Sequence, residues 1–150
     1  MSGMESAKKK QVILLVEDDA DDRAMIQEAA RQAGISVPFL PLENGGQALD
    51  FLYRRKAFAS LHEELQPLII FLDLNLPMES GKQALETIKT DPYLRKNPVI
   101  VFTTSASRQE ISWAYGIGAN SIIIKPFSFN ALVTIMDVIK RYWFEIVELP

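Results

Sequence analysis

Two apolar runs of this chain end in acids. Val12-Ile13-Leu14-Leu15-Val16 runs into Glu17-Asp18, and Leu68-Ile69-Ile70-Phe71-Leu72 runs into Asp73. A carboxylate is unfavourable to bury beside such residues, so each is expected at its strand's C-terminal tip, where a parallel α/β sheet binds ligands. Two further runs also end in polar groups. Val99-Ile100-Val101-Phe102 leads to Thr103-Thr104-Ser105, and Ile122-Ile123-Ile124 leads to Lys125-Pro126. Brought together, the carboxylates would repel one another and would need a cation or raised pKa values. The chain has no cysteine and no histidine beside these positions, so any metal ligands are oxygens, a set that suits Mg²⁺. An aspartate nucleophile, a Mg²⁺ site, a hydroxyl donor and a fixed cation are the parts needed to move a phosphoryl group onto a carboxylate.

Each residue also has a plainer reading. Asp19, Asp21 and Asp22 fall at the cap and first turn of a helix, where acids favour the positive end of its dipole. Thr103 could start a turn, and a lone strand-end lysine is usually solvated. A cis Lys125-Pro126 bond would aim the lysine inward. What outweighs the plain readings is the coincidence of acid, acid, hydroxyl and lysine at four strand tips.

The elements that must position these tips alternate. Strand, helix and strand patterns follow one another, beginning with the run to Val16 and a helix from Asp19 to Ala33 that carries Ile26, Ala29, Ala30 and Ala33 on one face. Phe39-Leu40-Pro41-Leu42 is a weaker strand, placed at a sheet edge by its prolines. Asn44 with Gln47 predicts a capping box for a helix to about Arg55. Residues 56–67 read as a loop insertion with a helical turn near Leu61 to Leu65. After the strand ending at Leu72, Ser80-Gly81-Lys82-Gln83 reads as a capped helix start stopped by Asp91-Pro92. Ser107 to Glu110 caps another helix ending near Gly116 or Gly118, and Ser128 opens the last, with Leu132, Ile135, Met136, Ile139 and Trp143 as its buried stripe.

Five continuous apolar strands separated by helices predict a parallel sheet covered on both faces: an α/β, doubly wound, flavodoxin-like (βα)5 fold with strand order 2-1-3-4-5. That order makes the first and third strands neighbours, roughly 4.8 Å apart. The expected organisation is a flexible N-terminus over 1–10, one domain over 11–143 with the insertion at 56–67, and an apolar tail over 144–150.

The totals fit one domain of 150 residues, 48% of them hydrophobic and 23% charged. A net charge of -3 argues against nucleic-acid binding through a basic surface, and Lys8 to Lys10 reads as a solvated run. No apolar stretch approaches the ~20 residues of a membrane span, and the N-terminus lacks a signal-peptide pattern, so a cytoplasmic location is expected.

Taken in order, Val16-Glu17-Asp18, Asp73-Leu74-Asn75-Leu76-Pro77, Thr103 and Lys125-Pro126-Phe127 resemble the response-regulator receiver domain over about residues 11–143. The resemblance implies that Asp73 accepts phosphate from a phosphohistidine on a sensor histidine kinase. It implies Mg²⁺ held by Glu17, Asp18, Asp73 and the backbone carbonyl of Asn75, with Thr103 and Lys125 on the phosphoryl group. The insertion, Phe102-Thr103-Thr104-Ser105 and the tail from Trp143 look more narrowly like the single-domain cyanobacterial phytochrome response regulators, whose kinases are of phytochrome type. One departure stands out. Many receivers carry Tyr or Phe three residues before the lysine, and here that position is Ile122.

Output is then expected through protein contact. A homodimer is expected through the face from the fourth to the fifth helix, which carries Trp113, Tyr115, Ile117, Phe127 and Phe129, with help from the tail; Phe127 itself reads as core. The tail, too apolar to prefer water, either packs on its own domain or buries itself in a partner. Two competing readings stay open: a docking module that is never phosphorylated, and a haloacid-dehalogenase-type phosphohydrolase. The second usually needs an acid two residues after the nucleophile, where this chain has Asn75. Gly45-Gly46 and Gly116-Ile117-Gly118 match no nucleotide loop. His62 reads as a surface histidine.

Overall fold

The first strand shows why the chain folds as it does. Val12, Leu14 and Val16 point into one apolar cluster and Ile13 and Leu15 into another, as the two-residue period of a strand dictates. A run without polar residues can satisfy both faces only at the centre of a covered sheet, where each large apolar side chain adds about 1.5–3 kcal/mol. The computed structural model describes residues 10–60 and 65–150. Its strands are β1 (Lys10–Val16), β2 (Phe39–Leu42), β3 (Leu65–Leu72), β4 (Val99–Thr103) and β5 (Ser121–Ile124), and its helices are α1 (Ala20–Gln32), α2 (Gly45–Leu52), α3 (Ser80–Thr90), α4 (Arg108–Ile117) and α5 (Phe129–Ile139). All pairings are parallel, in the order β2-β1-β3-β4-β5. This is the expected flavodoxin-like α/β fold. Helices α2, α3 and α4 cover one face of the sheet, and α1 and α5 cover the other.

Register carries the strand tips to one level. Val16 pairs with Leu72, which sets Glu17 beside Asp73, and Thr103 pairs with Ile124, which sets Lys125 just beyond. The Asp73 N–H donates to the Val16 carbonyl at 3.1 Å, and the Lys125 N–H to the Thr103 carbonyl at 2.8 Å. A shift in the β1–β3 register between Val12 and Ile13 absorbs one extra residue near Pro67, away from the tips.

Local structure departs from the sequence reading in several places. The second helix ends at Leu52, because Arg54 and Lys56 both take left-handed backbone (φ 54°). Gln47 does not close a box on Asn44. Its Oε1 accepts from the Glu43 N–H instead, while Asn44 caps the Gln47 N–H. Strand β3 begins at Leu65, so residues 65–67 of the expected insertion are strand, and a short 3₁₀ turn falls at Lys56–Phe58. The start of the expected turn at Leu61 to Leu65, together with His62, lies outside the described residues, as do residues 1–9 with Lys8 and Lys9; Lys10 opens β1.

Ser80 caps no helix. Met78 and Glu79 sit in the left-handed region (φ 59° and 55°), and the Ser80 hydroxyl accepts the Gly45 N–H at 3.1 Å, tying α2 to α3. Ser107 and Glu110 do form the predicted capping box.

The last helix continues as a π-helical turn over Lys140–Ile146. Trp143, Phe144 and Leu149 pack on the face covered by α1 and α5, and Pro150 reaches a cavity of about 450 Å³ at the N-terminal ends of the strands, beside Gln66, Pro67 and Pro98. The tail thus folds onto its own domain. No described helix is long and apolar enough to cross a membrane.

Gly81 is where α3 meets the acidic tip. A Cβ there would lie 2.1 Å from the Asp73 carbonyl oxygen, a backbone atom that cannot swing aside. Gly81→Ala is therefore expected to cost about 3 kcal/mol, at the upper end of ordinary overpacking; urea unfolding of parent and variant checks this, and equal midpoints would refute it.

Candidate functional site

Glu17 is buried, Asp18 is exposed, and Asp73 is buried at the next strand tip. One carboxylate oxygen from each lies within 4.8 Å of the others. A cluster of hard oxygens, one of them open to solvent, is a donor set for a divalent cation that keeps part of its water shell.

Lys125 is the counterweight. Its side chain is only 9% accessible, and its Nζ contacts Glu17 Oε1, Asp22 Oδ2 at 3.2 Å and Asp73 Oδ2 at 3.5 Å. Burial works to lower the lysine pKa, but the hydrogen bond Lys125 donates to Glu17, the charges of Asp73 and Glu17 and the hydrogen bond it donates to Asp22 outweigh it, and the net shift is upward. Glu17 moves the other way from a usual carboxylate. Burial pushes it up to about 7 against the pull of Lys125 and of the Asp19 N–H, with the Asp73 charge adding to the rise. The Glu17 backbone carbonyl accepts from Arg23 Nη1 at 2.8 Å, which fixes the loop into α1.

The two oxygens of Asp73 are unlike. Oδ1 accepts from the Asn75 N–H at 2.9 Å and from the Thr103 hydroxyl at 2.8 Å. Oδ2 faces Lys125. Thr103 is fully buried, and its Oγ1 also accepts from Asn75 Nδ2 at 2.9 Å. The same amide donates to the Ser105 carbonyl at 3.0 Å.

The structure brings together Glu17, Asp18, Asp73, Asn75, Thr103 and Lys125. Asp19 caps α1 as expected, accepting the Asp22 N–H. Asp22 does more than cap, since α1 turns its carboxylate onto Lys125. The Asn75 side chain was also unforeseen. A polar residue two positions after Asp73, beside a strand ending in Thr103, was the available signal. Two expectations fail. All described peptide bonds are trans, so Lys125 points inward without a cis Pro126; the carboxylates around it supply the pull. Phe127 is fully exposed at 106%, because the turn after β5 carries it out past Pro126, whereas Phe129 two residues later packs on the core. With Met25, Phe127 borders a pocket of about 260 Å³ that opens beside Lys125.

Comparisons with known proteins agree with this geometry. The sequence profile of the response regulator receiver domain matches residues 13–137. Response regulator Rcp1 of Synechocystis sp. is 33% identical over 139 residues, covering 93% of this chain and 92% of its own; the structure of its Mn²⁺-bound form superposes with a TM-score of 0.82 over 93% of this chain and 98% of that one. The probable methanogenesis regulatory protein FilR2 of Methanothrix harundinacea is 38% identical over 135 residues, covering 88% and 83%. The phosphorylated cyanobacterial phytochrome response regulator RcpA is 32% identical, with a TM-score of 0.83 over 95% of this chain and 99% of that one. The chain belongs to the response regulator receiver domain family, the phosphoacceptor proteins of two-component signalling.

Proposed function

We propose that this protein takes a phosphoryl group onto Asp73 from a phosphohistidine of a sensor histidine kinase in the cytoplasm, and passes the change on through protein contacts. The reading rests above all on Asp73, whose Oδ1 is held by two donors while Oδ2 is left facing Lys125. Oδ2 forms the new O–P bond as the P–N bond to the donor imidazole breaks and its electron pair returns to the imidazole nitrogen. Lys125 lies where it would meet the phosphoryl oxygens, and Thr103 can turn its hydroxyl from Oδ1 to one of them. The chain thereby assists its own phosphorylation and dephosphorylation.

Glu17, Asp18, Asp73 and the Asn75 backbone carbonyl would hold Mg²⁺, and the all-oxygen donor set fits it. The Mn²⁺-bound form of Rcp1 supports a divalent cation here. Once bound, Mg²⁺ supplies charge that neutralises the crowded carboxylates and the phosphoryl oxygens.

The kinase is proposed to be of phytochrome type, on the likeness to Rcp1 and RcpA. FilR2 is at least as similar in sequence and is not named for light, so a phosphotransfer screen against candidate kinases decides this part. The competing readings fare worse. The Asn75 amide is no general acid and is committed to Thr103 and Ser105. A mere docking module would have no use for Asp73, Thr103 and Lys125 converging in one buried place.

The same reading includes a homodimer over α4, β5 and α5. Trp143 and Phe144 are used by the domain's own core, but Val138, Tyr142 and Ile146, four residues apart, remain exposed on the other side of the last helix.

Three results are expected. Incubation with acetyl phosphate and Mg²⁺ adds the mass of one phosphoryl group to the parent and none to Asp73→Asn; equal labelling of the variant would put the acceptor elsewhere.

The second concerns protons. Glu17 titrates near 7 when folded and near 4.5 when free, so the metal-free folded state holds an extra proton between those values and loses stability as pH rises through that window. A cation must displace that proton. Its apparent affinity should fall about tenfold from pH 8 to pH 6, with roughly one proton released at the lower pH. Calorimetry in two buffers of different ionisation enthalpy measures this, and buffer-independent heats at pH 6 would refute it.

Third, sedimentation of the parent at micromolar concentration should show dimers that Tyr142→Glu with Ile146→Glu abolishes. A parent that sediments as a monomer, or an unaffected variant, removes the proposed face.

A further inference from the structure

The open edge of the sheet is closed by a side chain from the helix that follows the Thr103 loop. Among the described residues β5 is the last strand in the order, with β4 its one neighbour. The Lys125 N–H is directed at β4, since it donates to the Thr103 carbonyl. Backbone groups alternate in direction along a strand, so the Ile122 N–H, three residues earlier, faces the open edge. It donates to the hydroxyl of Tyr115 on α4 at 3.2 Å.

The other end of α4 is tied to the acceptor. Thr103 bonds Asp73, and Asn75 Nδ2 clasps both the Thr103 hydroxyl and the Ser105 carbonyl. Two residues on, Ser107 and Glu110 cap α4, and Glu110 also pairs with Lys82 of α3 at 2.6 Å. A hydrogen-bonded path therefore runs from Asp73 through the 103–105 loop into a capped helix, and out through Tyr115 to the free edge of β5. Position 122 offers no aromatic ring to swing, and Ile122 packs against the core on the α4 side of the sheet.

We infer that Tyr115 is the read-out of this chain: its hydroxyl holds the Ile122 N–H while Asp73 is unmodified and leaves it when Thr103 is drawn to a phosphoryl group. The inference rests on the reading of Asp73 as the acceptor. A phosphoryl group on Oδ2 draws the Thr103 hydroxyl away from Asn75 and from the Ser105 carbonyl, which it meets at 3.4 Å, and so loosens the start of α4. Tyr115 moves with the helix. At 3.2 Å its bond has a few tenths of an ångström of slack before it leaves hydrogen-bond range. Its departure bares an N–H on an edge strand, next to the half-exposed Ile124, and an unpaired edge donor is a pairing site. The acceptor would thus change what the β5 edge can bind without any aromatic on β5.

Amide hydrogen exchange at Ile122, followed by NMR on the full chain, tests this. Tyr115→Phe keeps the ring and removes only the acceptor oxygen, so Ile122 should exchange about three- to tenfold faster, as loss of one ordinary hydrogen bond allows. Beryllofluoride with Mg²⁺, a stable mimic of the phosphoryl group, should produce the same acceleration in the parent and little more in the variant. Unchanged exchange in Tyr115→Phe, or an Ile122 amide in the parent that stays protected with beryllofluoride bound, overturns the inference. Asp73→Asn separates the two levels. Beryllofluoride that binds the variant as well as the parent sinks the acceptor reading and this inference with it; binding confined to the parent with Ile122 unmoved sinks only the role of Tyr115.

Discussion

Everything at this sheet edge depends on one ammonium group holding carboxylates from two strands and a helix. At about 4 Å, a pair of unit charges is worth about 4 kcal/mol at the effective dielectric of a protein surface. Glu17 and Asp73, placed side by side by the β1–β3 register, repel by less than that full-charge figure, and burial rather than the Asp73 charge is the main reason Glu17 holds its proton. Lys125 relieves part of it, and Asp22 joins from α1. The balance is incomplete. Negative charge stays in excess, and burial of Glu17 shifts its protonation toward neutral pH rather than leaving it freely ionised. Such a site is prepared for added positive charge. A divalent cation suits it first, and an incoming phosphoryl group becomes acceptable only once that charge is in place.

The same electrostatics explain why the fold is built as it is around the tips. Glu17, Asp73 and Thr103 stand at the buried ends of β1, β3 and β4, so their side chains have little freedom to relax away from one another. Gly81 lets α3 start against the Asp73 carbonyl, and the Ser80 hydroxyl fastens that start to α2. These contacts hold the acceptor strand from behind. At the front, Thr103 is held by its pairing with β5 and by its hydroxyl, and the Asn75 amide and a helix cap hold the loop from there to Ser107. On the proposed reading, movement falls on the β4–α4 loop rather than on Asp73.

Most of the fold was legible because the strands are unbroken apolar runs, and a run such as Ile69 to Leu72 has no other stable place than a covered sheet. The site was legible for the same reason: polar residues at the ends of such runs are conspicuous. What the sequence hid was decided by tertiary competition. Ser80 has a local capping pattern, but two left-handed residues before it and a donor from α2 claim its hydroxyl. Gln66-Pro67 reads as loop, yet the β1–β3 ladder takes it in with a register shift. Asp22 reads as a helix-dipole acid because nothing local shows that α1 aims it at the lysine just after β5. Phe127 reads as core by type, and only the turn after Pro126 decides that it faces solvent.

The energy available to a read-out through Tyr115 sets what kind of switch this can be. One ordinary hydrogen bond is worth about 1 kcal/mol net, which shifts a two-state population about fivefold. Alone, that gives a graded response and not a complete conversion. A large response needs the released edge to gain contacts elsewhere, and the exposed apolar side chains of α5 lie close to β5, where Ile123 and Val138 line one cavity with Tyr142. The acceptor then needs only to unlatch an edge, and the free energy of association supplies the remainder. In a chain with Ile122 in place of an aromatic, the proposed coupling through assembly would let a small internal change produce a large external one.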